Sequence, residues 1–492
     1  MGRKIIEICA SETRQEVYKL CGIEGLTVEQ GEQIAIVGGN GAGKSILVGV
    51  MTGAHPLIDG GGVRYDFGEE AQSQKIFDNV KYMAFRDNTA STGVRKGEDG
   101  VYFHQQRWNS TALDEMSSVA EELAMVPMEA SEKLRKRLFE LFRIEQMMDK
   151  KLPLLSSGEM RKFQITKALL GAPQLLIMDN PFIGLDAATR DLLQHLLGEL
   201  TAMGEVQVIV VLSKTDDIPD FLTHIIEVEN RTCKPKITLA EYREPKVAEQ
   251  VLPDAIRKEI LDMPTNDNAP SCEVVAELRG VSIKYGERTI LKELDWKISQ
   301  GEKWALSGEN GAGKSTLLSL VCADNPQAYA CNIALFGRDR GTGESIWDIK
   351  RNIGYVSPEM HRAYLQPLRS IEIVASGLHD TIGLNRKMQP EQEGVCRFWL
   401  RVLGVEELAE RNFMQISSGE QRLVLLARAF VKDPALYILD EPLHGLDMVF
   451  RKRVTEVIDA VCARPGKSLI IVSHYPADLP KCITNSIHLK RN

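Results

Sequence analysis

Two stretches of the chain, Gly38-Gly39-Asn40-Gly41-Ala42-Gly43-Lys44-Ser45 and Gly308-Glu309-Asn310-Gly311-Ala312-Gly313-Lys314-Ser315, share the spacing G-x-x-x-x-G-K-[ST]. Glycines at these intervals let successive backbone amides turn inward around phosphate oxygens, and a helix opening directly after the loop adds its own free amides to the anion site. Lys44 and Lys314 place a point charge on the terminal phosphates, and the hydroxyls of Ser45 and Ser315 suit a Mg2+ ion. The candidate ATP-binding set is therefore Gly38, Asn40, Gly41, Gly43, Lys44, Ser45 and Ile46 in the first loop, with Gly308, Asn310, Gly311, Gly313, Lys314, Ser315 and Thr316 in the second. Farther along, the apolar runs LLIMD and LYILD end in Asp179 and Asp440, carboxylates able to reach the same ion through water. Ser45, Asp179, Ser315 and Asp440 are the candidate Mg2+ ligands.

The residue after each aspartate differs. Glu441 is placed to orient and deprotonate an attacking water, whereas Asn180 is an amide that accepts no proton at neutral pH. Loss of a general base costs about 10²- to 10⁴-fold in rate. Near the end of the second copy, LIIVSHYPADLP puts His474 after an apolar run, in reach of a γ-phosphate; alignment through the shared Asp-(Ile/Leu)-Pro gives Ser213 in the first copy. Tyr285 precedes the second loop at an offset where a ring can stack on adenine, and Gln15 stands at that offset in the first. Glu441 and His474 are the candidate catalytic residues, and the first copy is weakened at three positions.

These residues must be carried by two copies of one unit. GEQIAIVGGNGAGKSIL returns as GEKWALSGENGAGKSTL at an offset of 270, while LLSSGEMRK and LLIMDNPFIGLD return as QISSGEQRL and LYILDEPLHGLD at an offset of 261. The difference is a change of loop length within a duplicated domain. IAIVG and WALSG are short apolar runs closed by glycine, the pattern of buried parallel strands before a turn. Stretches with helical spacing, such as AATRDLLQHLLGELTAM, follow the aspartate-ending runs, so strand and helix alternate as in an α/β sheet covered on both faces. The expected organisation is a first nucleotide-binding domain at 1–233, a linker at 234–272 holding a short helix and a Pro/Asn/Asp/Ser-rich end, and a second nucleotide-binding domain at 273–492.

A phosphate loop, a Ser-Ser-Gly-Glu element about a hundred residues later, and then Asp-(Glu)-Pro-x-x-Gly-Leu-Asp resemble the ABC ATPases, and the resemblance covers nearly the whole chain outside 234–272. It implies two tandem P-loop domains, each a core sheet flanked by helices with a helical signature subdomain. It also implies cassettes that pair head to tail within one chain, without need of an oligomer, each ATP lying between one phosphate loop and the other signature. Lys314, Ser315, Asp440, Glu441 and His474 would then face Ser156 and Gly158 across a hydrolysing site. Lys44, Ser45 and Asp179 would face Ser417 and Gly419 across a site that mainly holds ATP. The family's signature reads Leu-Ser-Gly-Gly-Gln; here the third residue is Ser157 or Ser418 and the fifth Glu159 or Glu420, a variation shared by both copies. The Q-loop glutamine is missing from IGYVSPEMH, which offers Ser357, Pro358 and Glu359; in the first copy Asp87, Gln105 and Gln106 are the alternatives. Residues 315–361, with the core Gly-Glu-Ser-Ile-Trp-Asp-Ile-Lys at 343–350, resemble the tandem-cassette proteins of molybdenum transport, while Trp347 and Asp348 read as packing and a helix cap.

The formal net charge of −8 argues against a protein that coats nucleic acid, and no direct nucleic-acid binding is expected. The nine cysteines form no Cys-x-x-Cys pair and read as thiols in a reducing cytosol. The first residues lack the apolar core of a signal peptide, and no run of 18 apolar residues occurs, so the expectation is a soluble cytoplasmic protein, peripheral at the membrane's inner face if it serves a permease. The implied role is the ATP-binding component of a molybdate-type or related ABC transport system, with an integral-membrane permease as partner. The alternative is an ATP-driven clamp or regulator on a ribosome or DNA-repair complex. Seven acidic and four basic residues in 241–267, with Asn180 in place of glutamate, count against a ribosome-acting type.

Overall fold

The structure is a computed structural model that describes residues 2–58, 62–69, 71, 73–85, 117–126, 130–152, 155, 157–182, 185, 187–204, 206–212, 218–243, 251–264, 270, 272–285, 288–309, 311–384, 386–473 and 478–490. It divides into two compact units, Met1–Arg86 with Ser110–Lys246 and Gly445–Asp447, and Asp87–Asn109 with Val247–His444 and Met448–Asn492.

The first unit is built on a mainly parallel sheet. Its strands run in the order Ile237–Thr238, His224–Glu229, Ile34–Val37, Gln207–Leu212, Leu175–Asp179, Val80–Ala84, and the outermost pair, Ile237–Thr238 against His224–Glu229, is antiparallel. The three central strands, Ile34–Val37, Gln207–Leu212 and Leu175–Asp179, are buried along their whole length because both faces are covered. Alternation still assigns each side chain to a face: Ile34, Ile36, Leu175, Ile177, Ile209 and Val211 join a core with the helix Lys44–Met51 and a small antiparallel sheet, whereas Ala35, Val37, Leu176, Met178, Val208 and Val210 join one with the helices Glu132–Phe142 and Ser157–Leu169. The small sheet orders Thr27–Glu29, Lys4–Ile8, Val63–Tyr65.

The second unit repeats the plan with longer outer strands. Its parallel sheet orders Ile353–Val356, Leu436–Asp440, Ser468–Val472, Lys303–Gly308, Asn485–Leu489. A four-stranded antiparallel sheet is led by the twelve-residue strands Val274–Tyr285 and Arg288–Ser299. The helices Ser370–Ser376, Pro390–Leu403 and Ser418–Phe430 form the helical part, where Trp399 stacks on Phe430 at 5.1 Å between centroids. Register brings the chemistry together: Asp440 and Leu306 both pair with Val472, and Asp179 and Ile36 both pair with Val211. In each unit one strand thus separates the strand-ending aspartate from the phosphate loop, a span of about 10 Å at ordinary strand spacing.

The segment read as a linker is shared out between the units. Residues 237–238 add to the edge of the first sheet, while the helix Asp254–Leu261 packs on Met448–Cys462 of the second unit. Among the described residues no helix is long and apolar enough to cross a membrane.

Candidate functional site

Each loop leaves its strand through a glycine that nothing else can replace. Gly38 (φ 152°) and Gly308 (φ 147°) approach the neighbouring strand so closely that a Cβ would lie 2.1 Å from the Val228 carbonyl oxygen and 2.4 Å from that of Leu489. The loops close at Gly43 and Gly313, both left-handed, and the helices Lys44–Met51 and Lys314–Val321 begin at once. Gly41 and Gly311 also have positive φ. Ile46 and Thr316 fall on the first helical turns.

The lysines fold back over their own loops. Lys44 Nζ donates to the carbonyls of Gly38 and Gly39 at 2.7 Å each, and Lys314 Nζ to those of Gly308 and Glu309 at 2.6 and 3.1 Å. Burial pushes the Lys44 ammonium down to about 8, against the opposing pull of Asp179. A cation held in a ring of carbonyls with little solvent is ready to exchange those contacts for phosphate oxygens.

Around the strand-ending aspartates the two units share a frame and differ in chemistry. In the first, the buried Asp179 accepts from Ser45 Oγ at 3.3 Å and Tyr82 Oη at 3.1 Å through Oδ2, and from Asn180 Nδ2 at 2.8 Å through Oδ1. In the second, burial and then the nearby Glu359 and Glu441 carboxylates push Asp440 well above the usual carboxylate range, with Lys314 and Arg422 opposing. Asn180 and Glu441 both sit in left-handed turns, at φ 53° and 48°, and their amides donate to Val211 O and Val472 O at 2.8 and 3.0 Å. Two arginines complete the frame. Arg422 Nη1 donates to Glu441 O at 2.6 Å, and Arg161 Nη1 donates to Pro181 O at 2.8 Å and Asn180 O at 3.4 Å.

The signature helices begin beside these arginines in sequence. In the second unit Ser417 caps Ser418–Phe430, accepting from the Glu420 amide at 3.3 Å while Glu420 accepts from the Ser417 amide at 2.7 Å. Glutamate at the signature's fifth position thus closes a reciprocal capping box. In the first unit Glu159 accepts from Lys150 Nζ at 2.6 Å. Gly419 is buried in the first turn of its helix, and Gly158 lies in the first turn of Ser157–Leu169. Tyr285 ends its strand half-buried, its hydroxyl accepting from Asn325 Nδ2 at 3.0 Å. Gln15 is exposed, and the ring nearest it in the chain is Tyr18, stacked on His55 at 4.6 Å.

Ser357 is fully buried and caps the helix Pro358–Ala363, which carries Glu359. Asn310, His474, Ser156, Ser213, Asp87, Gln105 and Gln106 lie outside the described residues. The sequence reading missed Arg161 and Arg422. Their signal was the repeat itself, since each stands five residues after the first signature serine. It also gave no weight to Tyr82. Among the described residues no cluster of three His, Cys, Asp or Glu side chains could hold a metal by itself.

The sequence model of the ABC transporter family matches the chain at residues 24–183 and again at 291–444. Those bounds take in both phosphate loops, both signature serines and both strand-ending aspartates, and they leave out Tyr285 and His474. The chain belongs to the ABC transporter family. It is an ABC-type ATPase with two ATP-binding cassettes in tandem. Over 98% of its length it is 34% identical to the ABC transporter ATP-binding protein ModF of Escherichia coli K12, covering 96% of that protein. An uncharacterised ABC transporter ATP-binding protein of Schizosaccharomyces pombe is 28% identical over 92% of the chain and 91% of the relative. Among solved structures, an archaeal ribosome recycling factor aABCE1, in complex with the ribosomal stalk protein aP1, matches 97% of the chain and 87% of its own with a TM-score of 0.54 at 18% identity. RNase-L Inhibitor matches 94% and 84% with a TM-score of 0.51, also at 18%. Likeness at that identity concerns the tandem-cassette fold alone.

Proposed function

We propose that this tandem ATPase hydrolyses ATP mainly at one site, built from Lys314, Ser315, Asp440, Glu441 and His474 with the signature residues Ser156 and Gly158. The observation that carries the reading is the pair of matched turns in which Glu441 stands where the first cassette has Asn180. Both residues have the same left-handed backbone and the same amide bond to the neighbouring strand. Only the second offers a carboxylate to take the proton of the attacking water.

Lys314 holds the terminal phosphates, and Tyr285 takes the adenine. The hydroxyl–carboxylate pair Ser45–Asp179, 3.3 Å apart, is a hard-oxygen donor set of the kind Mg2+ takes beside phosphate. In the second cassette Ser315 and Asp440 hold the corresponding places of the repeat, and a cation beside Asp440 would relieve its crowding by Glu359 and Glu441. Held by these residues, Mg2+ would supply charge neutralisation for the phosphates. Glu441 accepts the water proton, and His474 donates to the γ-phosphate. Lys44, Ser45 and Asp179, facing Ser417 and Gly419, retain ATP and keep the pair closed.

The cellular role follows the family: an ATP-binding component for an integral-membrane permease, with a molybdate-type solute as the cargo implied by the resemblance. The named Escherichia coli relative, an ABC transporter ATP-binding protein, supports the transporter role. Glu441→Gln tests both levels. Steady-state turnover should fall below about a tenth of wild type while ATP binding persists, by analogy with other lost general bases; retained turnover would refute the site. Held closed with ATP in its native cell and recovered by affinity pull-down, the same variant should bring down a membrane permease. Recovery of ribosomal or DNA-repair proteins, or of no membrane protein, would instead favour a clamp on a macromolecular complex.

A further inference from the structure

We propose that Arg422 is a positioning residue that ties the Glu441 turn to the second signature helix, so that ATP retained at the first phosphate loop sets the base at the second. The inference rests on the pairing proposed above, in which Ser417 and Gly419 face Lys44.

The contact occurs twice. Arg422 and Arg161 occupy the same place in the repeat, five residues after the first signature serine, and are 3% and 7% exposed. Each guanidinium donates to a backbone carbonyl of the turn following the strand-ending aspartate: Glu441 O at 2.6 Å in one unit, Pro181 O at 2.8 Å in the other. The bond survives where the base has become Asn180, so it recognises the turn and not the side chain. A left-handed turn on a residue other than glycine persists only where its surroundings over-determine it. At Glu441 those surroundings include three backbone-directed bonds, from its amide to Val472 O at 3.0 Å, from the His444 amide to its carbonyl at 3.1 Å, and from Arg422. Of these, the last alone comes from the signature helix.

That helix is short and capped at Ser417, so a displacement of its first turn reaches Arg422 about 7 Å farther along with little loss. A charge-assisted bond of this length does not stretch far before it weakens. When Ser417 and Gly419 engage a γ-phosphate, the helix, the arginine and the Glu441 peptide move as one, and the carboxylate rides on that peptide. A base displaced by about 1 Å costs up to about 100-fold in rate. The first site, poor in catalytic groups, thereby acquires a role: its ATP licenses turnover at the second.

The test is a double-mutant cycle on the full chain, reading steady-state ATPase. Arg422→Met should lower kcat by about 10- to 100-fold with KM for ATP within about twofold, a split that loss of packing alone would not give. Arg422→Lys, which keeps a charged donor, should recover most of the activity. Lys44→Ala, which weakens ATP at the first loop, should lower kcat in the wild-type background and have no further effect beside Arg422→Met. Multiplied losses in the double variant, or an unchanged kcat in Arg422→Met or Lys44→Ala alone, would overturn the proposal. If circular dichroism shows that Arg422→Met does not fold, the cycle is run with Arg422→Gln, which loses the charged donor and must likewise lower kcat and absorb the Lys44→Ala effect. Active Glu441→Gln would instead refute the site on which the inference stands.

Discussion

In the function proposed above, the exchange of Glu441 for Asn180 is the difference between the two sites that bears on proton transfer. Their backbones match in positive φ, in an amide bond to the adjoining strand, and in an arginine on the carbonyl. The difference is what hangs from the turn. The Asn180 amide donates to Asp179, binding the very carboxylate beside which a base would stand. Asn180→Gln should therefore leave steady-state turnover within about twofold of wild type, since neither amide can take a proton. A tenfold loss in a coupled ATPase assay would make Asn180 catalytic and end the asymmetry. The exchange of glutamate for asparagine was legible in the sequence because the repeat aligns the two turns. The bond from Arg422 to the Glu441 turn was not, because an arginine on a helix reads as a solvated charge until the fold sets it against a carbonyl about twenty residues away.

Among the elements, the strap between the cassettes has the least sequence signal. Its composition is polar, and only a short helix was expected in it. In the structure Leu252 and Ile260 are fully buried, the Glu456 carboxylate accepts from the amides of Val251 and Leu252 at 3.1 and 2.6 Å, and Arg464 donates to the carbonyls of Met263 and Pro264. The groups that receive the strap lie some two hundred positions on, beyond the reach of any local pattern. The parallel strands, by contrast, were plain from their apolar runs, since a strand covered on both faces needs no partner to announce it. Glu456→Ala leaves two amides at the start of the strap without their acceptor, at a cost of about 1–3 kcal/mol. Calorimetry should show a midpoint lowered by a few degrees, about 2–4 °C for a unit of this size at the lower end of that cost. A midpoint unchanged within a degree would mean that the strap adds nothing to the second unit's stability.

At the scale of the whole molecule, duplication has preserved architecture and let chemistry diverge. Both units keep a parallel sheet, a glycine-walled phosphate loop, a lysine folded over the loop carbonyls, and a signature helix pinned to the aspartate turn. In the proposed function, binding uses those shared parts, whereas hydrolysis also uses the carboxylate present in one copy. Two nucleotides should therefore bind and one should be consumed. If the full chain is loaded with radiolabelled ATP, freed of excess, and quenched after a single turnover, the retained nucleotide should be close to half ATP and half ADP. Glu441→Gln treated in the same way should retain almost all of it as ATP, because the remaining site holds Asn180. An equal mixture demands that closure and hydrolysis be separate events, with ATP at the first loop outlasting the one at the second. Complete conversion to ADP in the wild type would show that the asparagine turn hydrolyses on the same time scale, and the division of labour between the two sites would fall with it.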